Sequence, residues 1–185
     1  IDKATGRAIY TDDIQLPGML HAKTLRSPHA HALIKSIDTS KAEALPGVHA
    51  VLVGSELPIK YGVIPWTQDE NALAVEKVRF IGDEVAAVAA IDEDTANAAV
   101  ELIEVEYEVL RSFYDPQEAL DNPEPAINES KPGKGNISKQ VSLEFGDVDS
   151  AADEADLVME GDYYFHSTTH TPIEPHCAIA QTNSL

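Results

Sequence analysis

The stretch VAAVAAIDEDTANAAVELIEVEYEVL, residues 85–110, constrains the fold more than any other part of the chain. Residues 85–91 are apolar throughout, as in a strand covered on both faces. Ala96, Ala99, Val100 and Ile103 follow at i, i+3, i+4 and i+7, one face of a helix. Asp92 or Asp94 precedes them and can accept hydrogen bonds from the first exposed amides. Residues 105–110 alternate less cleanly and are expected to pair beside residues 85–91. An earlier stretch, HALIKSIDTSKAEALPGVHAVLVG, repeats the layout. An apolar strand ends in Ile-Asp, a short helix starts at Asp38, Thr39 or Ser40, and Pro46–Gly47 stops it before a second β-rich run. Two strand–helix–strand units predict an α/β (α+β) domain that ends near residue 110.

The remaining segments are irregular. Pro58, Gly62 and Pro65 punctuate the stretch between the units and predict an excursion across a surface. Residues 114–136 hold four prolines, two glycines and many polar groups, so they bury too little apolar area to form a core of their own. They read as a linker or surface strap. GDVDSAADEADLV then predicts a short helix with Asp147 or Asp149 as its cap. VMEGDYYFHS and HCAIAQTNSL are β-like in composition. An apolar strand just before Leu185, with no partner following it, predicts a piece of something longer.

Charge and composition exclude several classes. The net charge is −19, and it is uneven: residues 1–60 hold seven Lys and Arg against six Asp and Glu, and residues 61–185 hold six against 26. Such a field repels nucleic acid and anionic lipid. No apolar run approaches the ~20 residues of a membrane span. A single cysteine leaves no internal disulfide framework, and the expected setting is the reducing cytoplasm.

The chemistry-bearing residues gather in HSTTHTPIEPHCAI, residues 166–179. His166 and His170 would share one helix face and could bind a metal. Aromatic and β-branched neighbours favour an extended chain instead, and Pro172 and Pro175 lack the amide hydrogens of a helix interior. Extended residues four apart are separated by roughly 13 Å, too far to share one ion without a sharp turn. Cys177 could act as a nucleophile with His176 or His170 as base, but adjacent extended residues face opposite ways. A small apolar role fits Cys177 better. RSPHAHA, residues 26–32, places His29 and His31 on one side of an extended segment and reads as a polar strand end at the surface. FIGDEVA, residues 80–86, reads as a tight turn that feeds the apolar strand. KPGKGN at 131–136 has no apolar helix after it, so it is a poor phosphate loop. Read alone, these residues name no catalytic, cofactor-binding or metal-ligating set.

Four stretches in order resemble one family. They are ATGRAIYTDDIQLPGMLHAKTLRSPHAHALIKSID, ALPGVHAVLVGSELP, VRFIGDEVAAVAAIDEDTANAAVELIEVEYEVL and FGDVDSAADEADLVMEGDYYFHSTTHTPIEPHCAIA. Together they resemble the large, molybdopterin-binding subunit of the xanthine oxidase and aldehyde oxidase class of molybdenum hydroxylases. RSPHAHA, AIDEDTA and EFGDV are most similar to its 4-hydroxybenzoyl-CoA reductase branch. The resemblance implies an α/β hammerhead domain over residues 1–112, a linker over 113–140 and the start of the molybdenum-cofactor-binding domain over 141–185.

The resemblance also implies an oxidoreductase that hydroxylates or dehydrogenates aromatic, heterocyclic or aldehyde substrates. Molybdopterin would sit in the rest of the same subunit, with 2Fe-2S and FAD on other domains or subunits. The family's glycine-rich cofactor loops and late glutamate base match nothing in this sequence. No catalytic, cofactor or metal residue carries over, and the chain alone is expected to be inactive and to pack on the cofactor domain. His170, Glu174 and His176 are then candidates for the path of the substrate. Two rivals remain at this stage: a free-standing acidic binding module, and a small metal-dependent hydrolase built on residues 166–176.

Overall fold

The computed structural model describes residues 1–57, 59–63, 68–129, 135–174 and 176–182. Pro58, Pro65, most of KPGKGN, Pro175 and the last three residues of HCAIAQTNSL lie outside the described residues. The chain divides into two compact units, Pro17–Gln140 and a second composed of Ile1–Leu16 with Val141–Leu185.

The unit Pro17–Gln140 holds, in order, β1 (His21–Arg26), β2 (Ala32–Asp38), α1 (Ser40–Glu43), β3 (Val48–Val53), β4 (Lys60–Tyr61), β5 (Glu70–Asn71), β6 (Lys77–Val78), β7 (Glu84–Ala90), α2 (Glu93–Glu101), β8 (Glu104–Val109) and α3 (Pro116–Asp121). Both expected strand–helix–strand units are present, as β2–α1–β3 and β7–α2–β8. They exchange partners. One antiparallel sheet runs β1-β7-β3 and the other β6-β2-β8, so each sheet takes one strand from each unit. Residues 105–110 are thus not beside residues 85–91, contrary to the sequence reading. β8 pairs with β2, with Ile34 opposite Tyr107 and Asp38 opposite Glu104. The stretch between the units is also less irregular than expected: β4 and β5 form their own ladder, and β6 extends the second sheet.

Alanine at the centre of β7 explains the helix packing. Ala86 and Val88 meet Ala42, Ala99 and Ile103, while Leu25, Val51 and Val53 close the same cluster from the flanking strands. Small side chains on both surfaces let α2 approach the sheet closely, and burying Val88 contributes about 2 kcal/mol. A second cluster joins Ala32, Ala74, Val78 and Val85, and Ile37 and Val105 pack against both clusters.

Asp92 caps α2, its carboxylate accepting from the Thr95 amide at 2.7 Å. Hydrogen bonds from the Thr95 side chain and amide hold the Asp92 carboxyl below its ordinary value. Replacing Asp92 with alanine is expected to lower Tm and to speed amide exchange at Thr95 and Ala96 before the rest of the helix. An unchanged exchange rate at both amides would show that the cap does not hold the first turn.

The described residues of the strap, 114–129 and 135–136, are fastened to the strands of this unit. Lys77, 3% exposed, donates from Nζ to the Ala126 carbonyl at 2.7 Å and pairs with Glu129. Arg79 donates from Nε to the Ile127 carbonyl at 3.1 Å, and the Ile127 amide donates to Asn136 at 2.8 Å.

In the second unit, Asp147 caps α4 (Val148–Asp153) through the Ser150 amide, as expected. The β-like stretches VMEGDYYFHS and HCAIAQTNSL form no strand among their described residues. β-propensity measures fit to a sheet face, and a strand exists only where a neighbour supplies its hydrogen bonds. Every described residue from 137 to 182 is exposed, Phe145, Tyr163 and Phe165 among them.

Candidate functional site

The two motifs that face each other in the structure are RSPHAHA and FIGDEVA. The Ser27 amide donates to the Asp83 carbonyl at 2.8 Å, and the Gly82 amide returns a bond to the Ser27 carbonyl at 2.9 Å. Arg26 donates to the Gly82 carbonyl at 2.8 Å and pairs with Glu84 at 2.7 Å. Gly82 has φ +92, a left-handed conformation that favours glycine, so the turn depends on that residue. The turn also seats Asp83 as acceptor of the Arg79 amide at 2.9 Å. Burial pushes the Asp83 carboxyl above its ordinary value despite that hydrogen bond.

His29 and His31 occupy different surroundings. His29 meets the ring of Tyr107 edge-on at 5.0 Å. His31 is 1% exposed, not the surface residue the sequence suggested, because β8 and the segment after it cover it. The Leu110 amide donates to the His31 carbonyl at 2.9 Å, and His31 Nδ1 lies 2.7 Å from the Arg111 carbonyl oxygen. A carbonyl oxygen only accepts, so Nδ1 carries a proton and donates it to Arg111. Nε2 is buried and has no hydrogen-bond partner among the described residues.

His31 forms part of the wall of a cavity of ≈ 260 Å³, with Phe80, Ile81, Phe113, Tyr114 and Ile127 supplying most of the rest. Arg111 helps to fix one side. Its guanidinium stacks on Phe113 at 5.0 Å and donates to Glu118 and Asn122 near α3 at 2.8 and 3.1 Å. The hollow is apolar, and the buried His31 ring braces one part of its wall. Sequence reasoning marked both motifs but not their meeting, since Arg26 and Gly82 lie 56 residues apart.

The residues of 166–179 are not drawn together into such a place. His166, His170, Glu174, His176 and Cys177 are all exposed. The ring of His166 meets Tyr164 edge-on at 4.8 Å. Among the described residues, no group of three or more His, Cys, Asp or Glu could hold a metal ion. The described residues of 141–182 are all exposed and enclose nothing among themselves, so on their own they do not fit a molybdopterin, which needs walls on several sides.

Comparison with known proteins accounts for both parts of the chain. Residues 5–111 match the aldehyde oxidase and xanthine dehydrogenase a/b hammerhead domain, and residues 130–184 match a molybdopterin cofactor-binding domain. The nicotinate dehydrogenase large molybdopterin subunit of Eubacterium barkeri is 40% identical over 182 residues, covering 97% of this chain and 41% of that protein. The xanthine dehydrogenase molybdenum-binding subunit of Escherichia coli O157:H7 is 38% identical over 195 residues, covering 100% of this chain and 25% of that protein.

Solved structures agree. CO dehydrogenase from Oligotropha carboxidovorans superposes with a TM-score of 0.60 at 49% identity over 65% of this chain and 15% of that one. Aldehyde oxidoreductase from Desulfovibrio gigas gives 0.63 at 31% identity over 74% of this chain and 16% of that one. The chain therefore spans a quarter to two fifths of the two relatives' lengths. With the hammerhead match covering more than half of it, this chain belongs to the aldehyde oxidase and xanthine dehydrogenase family of molybdenum hydroxylase large subunits.

Proposed function

We propose that the whole protein is a molybdenum-dependent oxidoreductase, a dehydrogenase or hydroxylase of aromatic, heterocyclic or aldehyde substrates. The observation that carries this is the order of the two family matches, hammerhead first and cofactor-binding domain second, along one chain. Residues 1–112 would be the hammerhead, 113–140 the link and 141–185 the first part of the cofactor domain. Their work in the enzyme is architectural: the hammerhead packs on the cofactor domain, and residues 141–182 gain strand partners from it. Molybdopterin supplies the redox chemistry at the substrate carbon when bound.

The partners are the remaining molybdenum domain and the iron–sulfur and flavin groups that carry electrons away. One cysteine is too few for the four ligands of a 2Fe-2S cluster, so such a cluster belongs to other residues. No helix among the described residues is long and apolar enough to cross a membrane; we place the protein in the cytoplasm. The 4-hydroxybenzoyl-CoA branch, suggested by RSPHAHA, AIDEDTA and EFGDV, is one substrate class within this reading. His170, Glu174 and His176 lie beside the substrate path, where alanine variants of the full enzyme would raise KM before lowering kcat.

The 185-residue chain, purified from molybdate-replete cells and examined by metal mass spectrometry, is expected to contain no molybdenum and to reduce no electron-accepting dye. Stoichiometric molybdenum in that preparation would overturn the architectural role.

A further inference from the structure

The central strand β7 has a covered face and an open one. Ala86 and Val88 pack with α2, and Leu25, Val51 and Val53 lie beside them. The opposite face carries two cross-strand rows, Ala22–Ala89–Ala50 and Thr24–Ala87–Leu52. Ala22, Thr24, Ala50 and Leu52 are exposed, and Ala87 and Ala89 are half-buried. We propose that these rows are the seat of one apolar helix from the part of the cofactor domain that follows residue 185. The proposal rests on the reading of the whole protein as a molybdenum enzyme, and names the face by which the hammerhead packs on its cofactor domain.

Composition marks this face as one to be covered. The solvated face of an antiparallel sheet is ordinarily polar. The second sheet of the same unit obeys that rule. On its exposed face Lys35 pairs with Glu108, Ser36 donates to Glu106 at 3.4 Å, and Glu104 pairs with Lys41 of α1. The two rows of the first sheet hold no charged side chain and a single hydroxyl, and they leave Leu52 40% exposed. Charge returns at the end of the sheet, where Arg26 pairs with Glu84 at 2.7 Å.

Size selects the occupant. The rows lie about 7 Å apart along the strands, and three strands span about 10 Å. An α-helix is about 10 Å across, so one helix covers both rows. Alanine at four of the six positions leaves room for close approach, as Ala42, Ala86 and Ala99 do on the covered face. Val85, next along the open face, is already buried against Ala74 and Val78, which bounds the seat at that end. A free-standing partner does not fit: the rows offer on the order of 200 Å², against about 800 Å² per side in a stable complex. A second copy would also bring its own −19 net charge against this one. An element of the same subunit needs no such area, because the chain already holds it near. The two relatives aligned above are covered over only 41% and 25% of their lengths, so they carry the extra chain that such a helix requires.

Leu52→Lys tests the seat, with Ser36→Lys on the charged face of the second sheet as control. Each is made in the 185-residue chain and in the complete subunit expressed with its partners. In the 185-residue chain both are expected to leave Tm unchanged, since both side chains meet water. In the complete subunit Leu52→Lys is expected to lower Tm by about 5 °C, as burial of an unpaired charge does, and Ser36→Lys to leave it unchanged. Hydroxyl-radical oxidation of Leu52, read by mass spectrometry in the unsubstituted proteins, is expected in the 185-residue chain and lost in the complete subunit. A photoreactive side chain in place of Ala50 is expected to crosslink to a helix of the same chain. A complete subunit that holds molybdenum yet oxidises at Leu52 or tolerates Leu52→Lys would overturn this proposal alone, as would a crosslink to a partner subunit. A reading frame that stops after Leu185, or a complete subunit without molybdenum, would overturn it together with the reading it rests on. A 185-residue chain that dimerises in sedimentation, with Leu52→Lys restoring the monomer, would give the face to a second copy and overturn it too.

Discussion

Gly54→Ala is expected to destabilise the unit Pro17–Gln140 by about 3 kcal/mol, a fall in Tm of about 10 °C. Gly54 is buried in the turn that follows β3. A Cβ there would stand 2.5 Å from the Ala74 carbonyl oxygen, 2.6 Å from that of Leu73 and 2.8 Å from the Ala74 carbonyl carbon. All three obstacles are backbone atoms, so no rotamer change relieves them. Leu73 and Ala74 have little room to retreat, being 3% and 4% exposed, and the Ala74 amide is bonded to the Glu84 carbonyl at 2.6 Å. Ser55→Ala, on the exposed neighbour, is the control and should leave Tm unchanged. Equal Tm values for both variants would mean that the chain between β3 and β6 does not press on this turn.

The second large effect concerns a buried cation. Lys77 is 3% exposed, and the strap meets its Nζ with the Ala126 carbonyl and the Glu129 carboxylate. Breaking one half of a buried ion pair strands the other half, while replacing both is close to neutral. Glu129→Gln is therefore expected to destabilise the unit by about 2 kcal/mol. The figure is below the usual range for buried pairs because Glu129 is 61% exposed and water can approach it. Adding Lys77→Met should restore most of the loss by removing the stranded charge at similar volume. Additive losses in the double variant would contradict this.

The pH dependence carries the same sign. Burial raises the Glu129 carboxyl, but the hydrogen bond and charge of Lys77, with Arg79, outweigh it and hold the group below its ordinary 4.5. A lowered carboxyl stabilises the fold fully above its unfolded value and loses that contribution as pH falls through the folded one. Urea midpoints measured downward from pH 6 should therefore fall less steeply in the Lys77→Met/Glu129→Gln pair than in the unsubstituted chain.

Local features were legible in the sequence. Asp92 and Asp147, each one of two expected candidates, cap their helices, and Ala96 and Ala99 are fully buried at the predicted spacing. The apolar run at residues 85–91 became the central strand of a sheet. Each of these depends on residues within one or two turns of chain. The failures are all non-local. β8 was expected beside β7, but α2 carries it to the other sheet, and nothing in the composition of EVEYEV specifies which strand it joins. Lys77 read as one polar residue in a surface excursion, because its partner Glu129 stands 52 residues away. The β-like stretches VMEGDYYFHS and HCAIAQTNSL have the propensity for strand but no strand partner among the described residues. The cavity at His31 needs four separate segments and left only a local hint, two histidines beside a proline.

The most direct measurement is molybdenum in the full gene product. The complete reading frame would be expressed with its natural partner subunits in molybdate-replete cells, and the purified protein analysed by metal mass spectrometry. Stoichiometric molybdenum, together with a continuing frame that carries glycine-rich loops after residue 185, is the expected result. A stop codon directly after Leu185, or a full-length protein free of molybdenum when its partners are present, would contradict the assignment.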